Sequence, residues 1–461
     1  MTNHLAYEIE PDVALPEPTG LPHGAEAGEP ETYTLVARCF DTEDLRLAAR
    51  GILLCHRSGG WRLRLPPGAE EDHPGAEEAV PTRFATLLTA HTRGRPLVQV
   101  ATLKTRRTVI PLLGPDGTVL GEITDDRVRA RPATGHATTR REVTVGSASP
   151  ELLAAVADRL GAAGGRPVHD RPTSPRPPEY RTAGDVVTSY VAQQLAAILA
   201  YDPKVRQAEY DSVHRMRVAV RRIRSILRTA ARLLDPEPAG SLEGELKWLA
   251  GELGMVRDLE VLRERFAGRL AELGKPAPSW LASLGAKERL AYVRLYRTLD
   301  GDRYFTLLDA LEAFVAGPPF TERASRKARK AVPALVAGAW RRVARRHAEL
   351  EHADDPDEAR HRTRKAAKRA RYTAEAARPV LGEPARRLAV QASKVQETLG
   401  AYQDSVIARE RLAELDTGGE DPATIDALID VERGAADRAL KDARKVWAEA
   451  ADPKYVEALS G

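Results

Sequence analysis

Apolar and polar positions follow two different rhythms along this chain. Between residues 31 and 145 they tend to alternate, the period of a half-buried strand. The runs Tyr33–Ala37, Trp61–Leu65, Leu97–Leu103, Arg107–Ile110 and Glu142–Val145 read as strands, and Ser58-Gly59-Gly60 and Gly114-Pro115-Asp116-Gly117 read as hairpin turns. Glu151–Leu160 reads as a short helix. From about Thr182 onward the apolar positions recur every three or four residues, and Pro/Gly turns interrupt this helical pattern near 235–240, 275–279, 317–318 and 382–384. Between the two regimes lies a Gly- and Pro-rich stretch with Gly164-Gly165 and Arg176-Pro177-Pro178. The expected organisation is α+β in two domains: an antiparallel β domain over 1–162, a linker over 163–181 and an all-α domain over 182–456.

In the helical region a single motif occurs twice, 147 positions apart. The first copy runs from His214 to Arg224 and the second from His361 to Arg371. His214/His361, Arg217/Arg364, Arg221/Lys368, Arg222/Arg369 and Arg224/Arg371 occupy equivalent places. A second block follows each copy, Leu253-Gly254-x-x-Arg257-Asp258 and Leu399-Gly400-x-x-Gln403-Asp404. Self-similarity at a fixed offset marks a duplicated structural unit, so two helical bundles related by a pseudo-twofold axis are expected.

A helix turns about 100° per residue, which gathers His214, Arg217, Arg221, Arg224 and Arg228 within an arc of roughly 80°. Val213, Met216, Val220, Ile223 and Leu227 fall on the opposite side, so one face packs and the other is cationic. The second copy presents His361, Arg364, Lys365, Lys368 and Arg371 opposite the small residues Ala366, Ala367 and Ala370. No acidic residue lies between Val213 and Arg232. Like charges one turn apart repel, so the stripe calls for something anionic opposite it. A third basic block, Arg323–Arg346, holds nine cations and no acid.

Charge sharpens the division. The net charge is +4 overall, but residues 1–165 carry 18 basic and 22 acidic side chains and the remainder 52 and 44. Two cysteines, Cys39 and Cys55, are too few for a disulfide framework or a Cys-rich metal site. The N-terminal residues lack the basic and apolar regions of a signal peptide, and no apolar run approaches 18 residues, so a cytoplasmic protein without a membrane span is expected.

The duplicated His-x-x-Arg helix, Arg371-Tyr372 and the Leu-Gly-x-x-x-Asp blocks resemble the CHAD domain, the conserved-histidine α-helical domain, over about residues 183–455. The resemblance implies two four-helix bundles enclosing a basic groove, and association with inorganic polyphosphate and its granules. Carried over by position, His214, Arg217, Arg221, Arg224, Arg228, His361, Arg364, Lys365, Lys368 and Arg371 become the polyphosphate ligands. Guanidinium binds phosphate oxygens in pairs and lysine supplies a point charge, which suits a flexible polyanion.

The front domain resembles the CYTH domain, the triphosphate tunnel fold, in Phe40–Leu47, Gly51–Leu54, Trp61–Pro66, Leu103–Arg107 and the stretch 119–126. That resemblance implies an antiparallel β-barrel or tunnel. Arg57, Arg62, Arg64, Lys104 and Arg106 would hold a triphosphate. Glu8, Glu10 and Glu142 would bind Mg or Mn, Glu8 and Glu10 doubling as the catalytic carboxylates. The family's opening Glu-x-Glu-x-Lys is here Glu8-Ile9-Glu10-Pro11-Asp12, Cys55-His56-Arg57 replaces a run of arginines, and Thr144 replaces a late glutamate. These departures point to a degenerate tunnel with weak or lost hydrolysis. The expected function is therefore polyphosphate binding by the helical domain, with no cofactor required for it. The alternatives are a metal-dependent triphosphatase tethered to polyphosphate and nucleic-acid binding. Adenylate cyclase chemistry is a remoter possibility of the front resemblance. Aromatic residues make up 5% of the chain and do not interleave with the 214–228 stripe, which argues against a base-stacking nucleic-acid site.

Overall fold

The front alternation becomes β1 (Asn3–Ile9), β2 (Glu26–Ala27), β3 (Glu31–Asp41), β4 (Leu53–Arg57), β5 (Gly60–Leu65), β6 (Ala69–Pro74), α1 (Thr82–Thr92), β7 (Val98–Leu113), β8 (Val119–Pro132), β9 (Thr138–Ser147), α2 (Pro150–Ala162) and β10 (Arg166–Pro167). The structure, a computed structural model, describes residues 3–57, 59–66, 69–75, 79–168, 179–415 and 422–459. Ser58 of the first expected turn and residues 169–178 of the expected linker lie outside the described residues. The chain separates into two units, Met1–Pro177 and Pro178–Gly461.

All pairings in the front unit are antiparallel, in the order β10-β1-β9-β8-β7-β3-β4-β5-β6, with β2 against β7. The sheet fits a tunnel-like fold but does not close, which corrects the expected barrel. The two-residue β10 already occupies the free side of β1 at Tyr7 and Glu8, and β6 ends the other side. Both edge strands contain a proline, Pro167 and Pro74, which cannot donate to a further strand. The two segments read as separate strands at 97–103 and 107–110 are one strand, β7, of 16 residues.

One face of the sheet is apolar. Tyr7, Ile9, Leu112, Ile123, Val143 and Val145 pack on Leu152, Leu153, Val156 and Leu160 of α2. Leu54, Trp61 and Leu63 pack on Phe84, Leu87 and Leu88 of α1, a helix that the sequence reading missed. The opposite face is mostly polar. Cys39 and Cys55 stand directly opposite each other on that face, and a single disulfide joins them across 16 positions, a pairing that cysteine number alone does not indicate.

The back unit is helical: α3 (Ala183–Arg206), α4 (Ser212–Thr229), α5 (Pro236–Glu272), α6 (Ser279–Leu299), α7 (Asp302–Ala316), α8 (Ala328–Ala348), α9 (Pro356–Leu381), α10 (Glu383–Ala413), α11 (Pro422–Ala450) and α12 (Lys454–Glu457). Thr182 caps α3, accepting from Asp185 N while Asp185 accepts from the backbone of Thr182. The expected break at 235–240 is instead the first turn of α5, where Pro236 occupies the position that lacks an acceptor anyway. The apolar face of α4 is buried as expected, with Val213, Met216, Val220 and Ile223 fully so. Ala366, Ala367 and Ala370 of α9 share a core with Val336, Trp340 and Val343 of α8 and with Leu388, Ala392 and Val395 of α10. Small side chains there let neighbouring helices approach closely. The long α5 is tied to the C-terminal helices by a buried glutamate. Glu432 of α11 accepts from Arg265 (2.8 Å) and Arg269 (3.1 Å), and Arg265 also donates to Ser405 of α10 (2.7 Å).

Candidate functional site

Helices α4 and α9 pack together, so the two copies of the basic motif meet. Thr229 and Thr373 hydroxyls lie 3.0 Å apart, and Arg222 reaches Glu375 (3.0 Å) with its guanidinium 5.5 Å from the centre of the Tyr372 ring. On the cationic side, Arg217 and Arg221 of α4 converge with Arg364 and Lys368 of α9. The convergence shows in their protonation. Burial pushes Lys368 down to about 6, assisted by the positive fields of Arg221, Arg364 and Arg217 and opposed by Asp404. Burial likewise pushes Arg221 down to about 10, with Arg217, Arg364 and Arg224 adding to it. Among the described residues no carboxylate lies within ion-pair distance of Arg221 or Lys368.

The remaining stripe residues are placed differently. Arg224 and Arg228 both reach Glu243 of α5, Arg224 at 3.4 Å. Arg371 is bound by Glu375 at 2.9 Å, with Glu397 at 4.0 Å. The acid-free stripe is thus partly neutralised by carboxylates from elsewhere in the chain, which no local count of charges could show. Lys365 is exposed.

Both histidines head the stripes as expected. Burial lowers His214 first and the guanidinium of Arg257 second. Burial lowers His361 first and Lys365 second, and Gln403 hydrogen-bonds it. Arg257 and Gln403 occupy equivalent places in the Leu-Gly blocks, so each block meets the histidine of its own copy. Sequence reasoning marks these blocks but takes no site residue from them. Equal spacing in both copies was the available signal.

The same blocks address the arginines. Arg217 lies 3.8 Å from Asp258, and Arg364 lies 3.8 Å from Asp404. Gly254 leaves open a place whose Cβ would stand 3.5 Å from Arg217 Nε, and at Gly400 the corresponding distance to Arg364 Nε is 3.2 Å. Both Nε atoms are buried and lack a hydrogen-bond partner.

In the front unit the strand register sorts the expected triphosphate and metal residues. Glu8 faces Glu142, Glu142 faces Asp126, Asp126 faces Arg107 and Arg107 faces Tyr33, one row across the polar face. Arg57 and Arg62 share that face, and Arg64 stands two residues from Arg62 on it. Lys104 and Arg106 lie on the other face, because Arg107 alternates with Arg106. The inward cations are largely spoken for: Asp126 holds Arg107 through two bonds (2.7 and 2.6 Å), and Asp72 holds Arg62 through two (2.8 and 3.1 Å). Glu10 lies beyond the end of β1. Among the described residues no group of three or more His, Cys, Asp or Glu side chains is arranged to hold a metal ion. No helix among the described residues is long and apolar enough to cross a membrane.

Comparison with known proteins places the helical unit. The CHAD domain family matches residues 189–413. The chain is 32% identical to an uncharacterized protein, MT2285, of Mycobacterium tuberculosis (strain CDC 1551 / Oshkosh), over 94% of each. It is equally similar to the uncharacterized protein Rv2226 of strain ATCC 25618 / H37Rv, again over 94% of each. Among solved structures, PptA from Streptomyces chartreusis aligns at 21% identity and a TM-score of 0.48, covering 58% of this chain and 99% of that one. The CHAD domain from the plant Ricinus communis aligns at 23% identity and a TM-score of 0.44, covering 62% and 97%. Residues 189–413 are a CHAD domain, and the chain belongs to one family with the two Mycobacterium tuberculosis proteins.

Proposed function

We propose that the helical unit binds inorganic polyphosphate in the cleft between α4 and α9, in the cytoplasm and at polyphosphate granules, and that the front unit is a degenerate triphosphate tunnel. The observation that supports this reading is the meeting of Arg217, Arg221, Arg364 and Lys368, drawn from both copies of the motif. Burial disfavours the charge of Arg221 and Lys368, and the like charges gathered around them oppose folding unless an anion compensates. Polyphosphate supplies closely spaced charges on a flexible chain with no base edges to read. Its oxygens match guanidinium forks, and each contact releases counterions. Binding through these side chains requires no metal.

Nucleic acid is the competing ligand for the same cleft. Tyr372, the aromatic that follows the second stripe, is buried against Arg222 and so offers no open face for base stacking. The front unit supports degeneracy through its self-paired arginines, Arg62 and Arg107.

Replacing Arg217, Arg221, Arg364 and Lys368 together by glutamate should abolish binding of long-chain polyphosphate while the protein stays folded by circular dichroism. Unchanged binding by that folded variant would remove the cleft from the function. RNA of equal charge, offered as competitor, should displace polyphosphate poorly.

A further inference from the structure

The Leu-Gly blocks recur with the basic stripes and place a glycine within a helix in each copy. A glycine inside a helix costs about 1 kcal/mol relative to alanine, yet Gly254 and Gly400 sit deep within α5 and α10. Neither has the positive φ that would demand glycine. Each instead faces the guanidinium of one cleft arginine. A Cβ at Gly400 would lie 3.2 Å from Nε and 3.3 Å from Nη2 of Arg364, and at Gly254 3.5 Å from Nε and Nη2 of Arg217. No heavy atom outside the local helix backbone lies within 4 Å of such a Cβ at Gly244 or Gly251, glycines of the same α5.

Resting on the polyphosphate reading above, we propose that Gly254 and Gly400 are positioning residues: bare patches of helix backbone on which Arg217 and Arg364 lie flat, so that both forks are held ready for phosphate. The aspartate four residues on, Asp258 or Asp404, rises on the same helix face and draws the same guanidinium without clamping it at 3.8 Å. A guanidinium laid against backbone loses less freedom on binding than one on a free stem, which is why a preset fork favours bidentate phosphate contacts. The two positions differ in tightness. An added methyl at Gly400 must displace Arg364, whereas at Gly254 it makes ordinary contact with Arg217.

The test compares Gly400→Ala, Gly254→Ala and Gly244→Ala in the full chain, with long-chain polyphosphate as ligand over a range of salt. Gly400→Ala should weaken binding about five- to tenfold, the partial loss of one charge-assisted contact, and flatten the salt dependence by about one contact. Gly254→Ala should change affinity less than about twofold and Gly244→Ala not at all, and all three should unfold at or above the parent temperature because alanine favours helix. In an Arg364→Ala background, Gly400→Ala should have no further effect. Parent-like binding by Gly400→Ala, or an effect that persists without the Arg364 side chain, would overturn the positioning role. Parent-like binding by Arg364→Ala itself would instead overturn the cleft reading on which it rests.

Discussion

Arg221 and Lys368 stand at equivalent places of a duplicated motif, 147 positions apart in the chain, and come together where α4 and α9 pack, the positive field of Arg221 adding to the burial that suppresses the charge of Lys368. Neither has a carboxylate partner among the described residues, whereas neighbouring cations of the same stripes do. That contrast separates a central pair without a carboxylate partner from an outer set engaged within the protein.

Binding should take up protons. In the free protein Lys368 is largely neutral above about 6. A phosphate chain beside it favours the ammonium and raises its pKa toward the ordinary lysine value. Between those values each binding event carries a proton from solution, so affinity rises as pH falls and the contribution of Lys368 levels off below about 6. His214 and His361, both lowered in the free protein, shift in the same sense when an anion binds. Calorimetry at about pH 7.5 in two buffers of different ionisation enthalpy measures the uptake. Equal apparent enthalpies would contradict it.

Lys368→Met should stabilise the unliganded protein. The folded pKa lies below the unfolded value of about 10.4, so the unfolded chain binds more protons between the two, and the contribution of this group to stability rises with pH across that window. At about pH 7 the wild-type group therefore opposes folding. Removing it should gain about 1–4 kcal/mol, as when other buried charges give way to apolar side chains of similar volume. The melting temperature should rise as polyphosphate affinity falls; a lower melting temperature would mean that Lys368 is satisfied in the free protein.

The outer arginines should matter less than the central ones. Arg228→Ala and Arg371→Ala remove groups already held by Glu243 and Glu375 and should weaken binding less than about threefold, whereas Arg221→Ala should cost about tenfold or more, about 1.5–3 kcal/mol for a lost charge-assisted contact. Equal losses across both sets, measured at one salt concentration, would contradict the ordering.

The front unit should not release phosphate from tripolyphosphate with Mg or Mn above the rate of a blank. Its Arg107 and Arg62 are occupied by Asp126 and Asp72, and Glu10 lies beyond the end of β1. Polyphosphate binding by the whole chain should survive excess chelator. Metal-dependent release that disappears in Glu8→Gln would reinstate a working triphosphatase.

The sequence determined the two rhythms, and with them a sheet followed by helices, the apolar side of α4 and the existence of two equivalent basic stripes. These are local properties: side-chain periodicity is fixed by backbone geometry within a few residues. Tertiary structure alone decided that β10 fills the edge of β1 and leaves the sheet open, that Cys39 meets Cys55, and that Lys104 and Arg106 share a face opposite Arg107. Strand register sets each of these, and a one-residue change in register reverses every face. It also decided which cations of the stripes are paired. Glu243 reaches Arg224 from α5 and Glu375 reaches Arg222 from α9, while Arg221 and Lys368 meet other cations. Charge pairing acts through space over a few ångströms, and that distance is set by how helices pack, not by how far apart their residues lie in the chain.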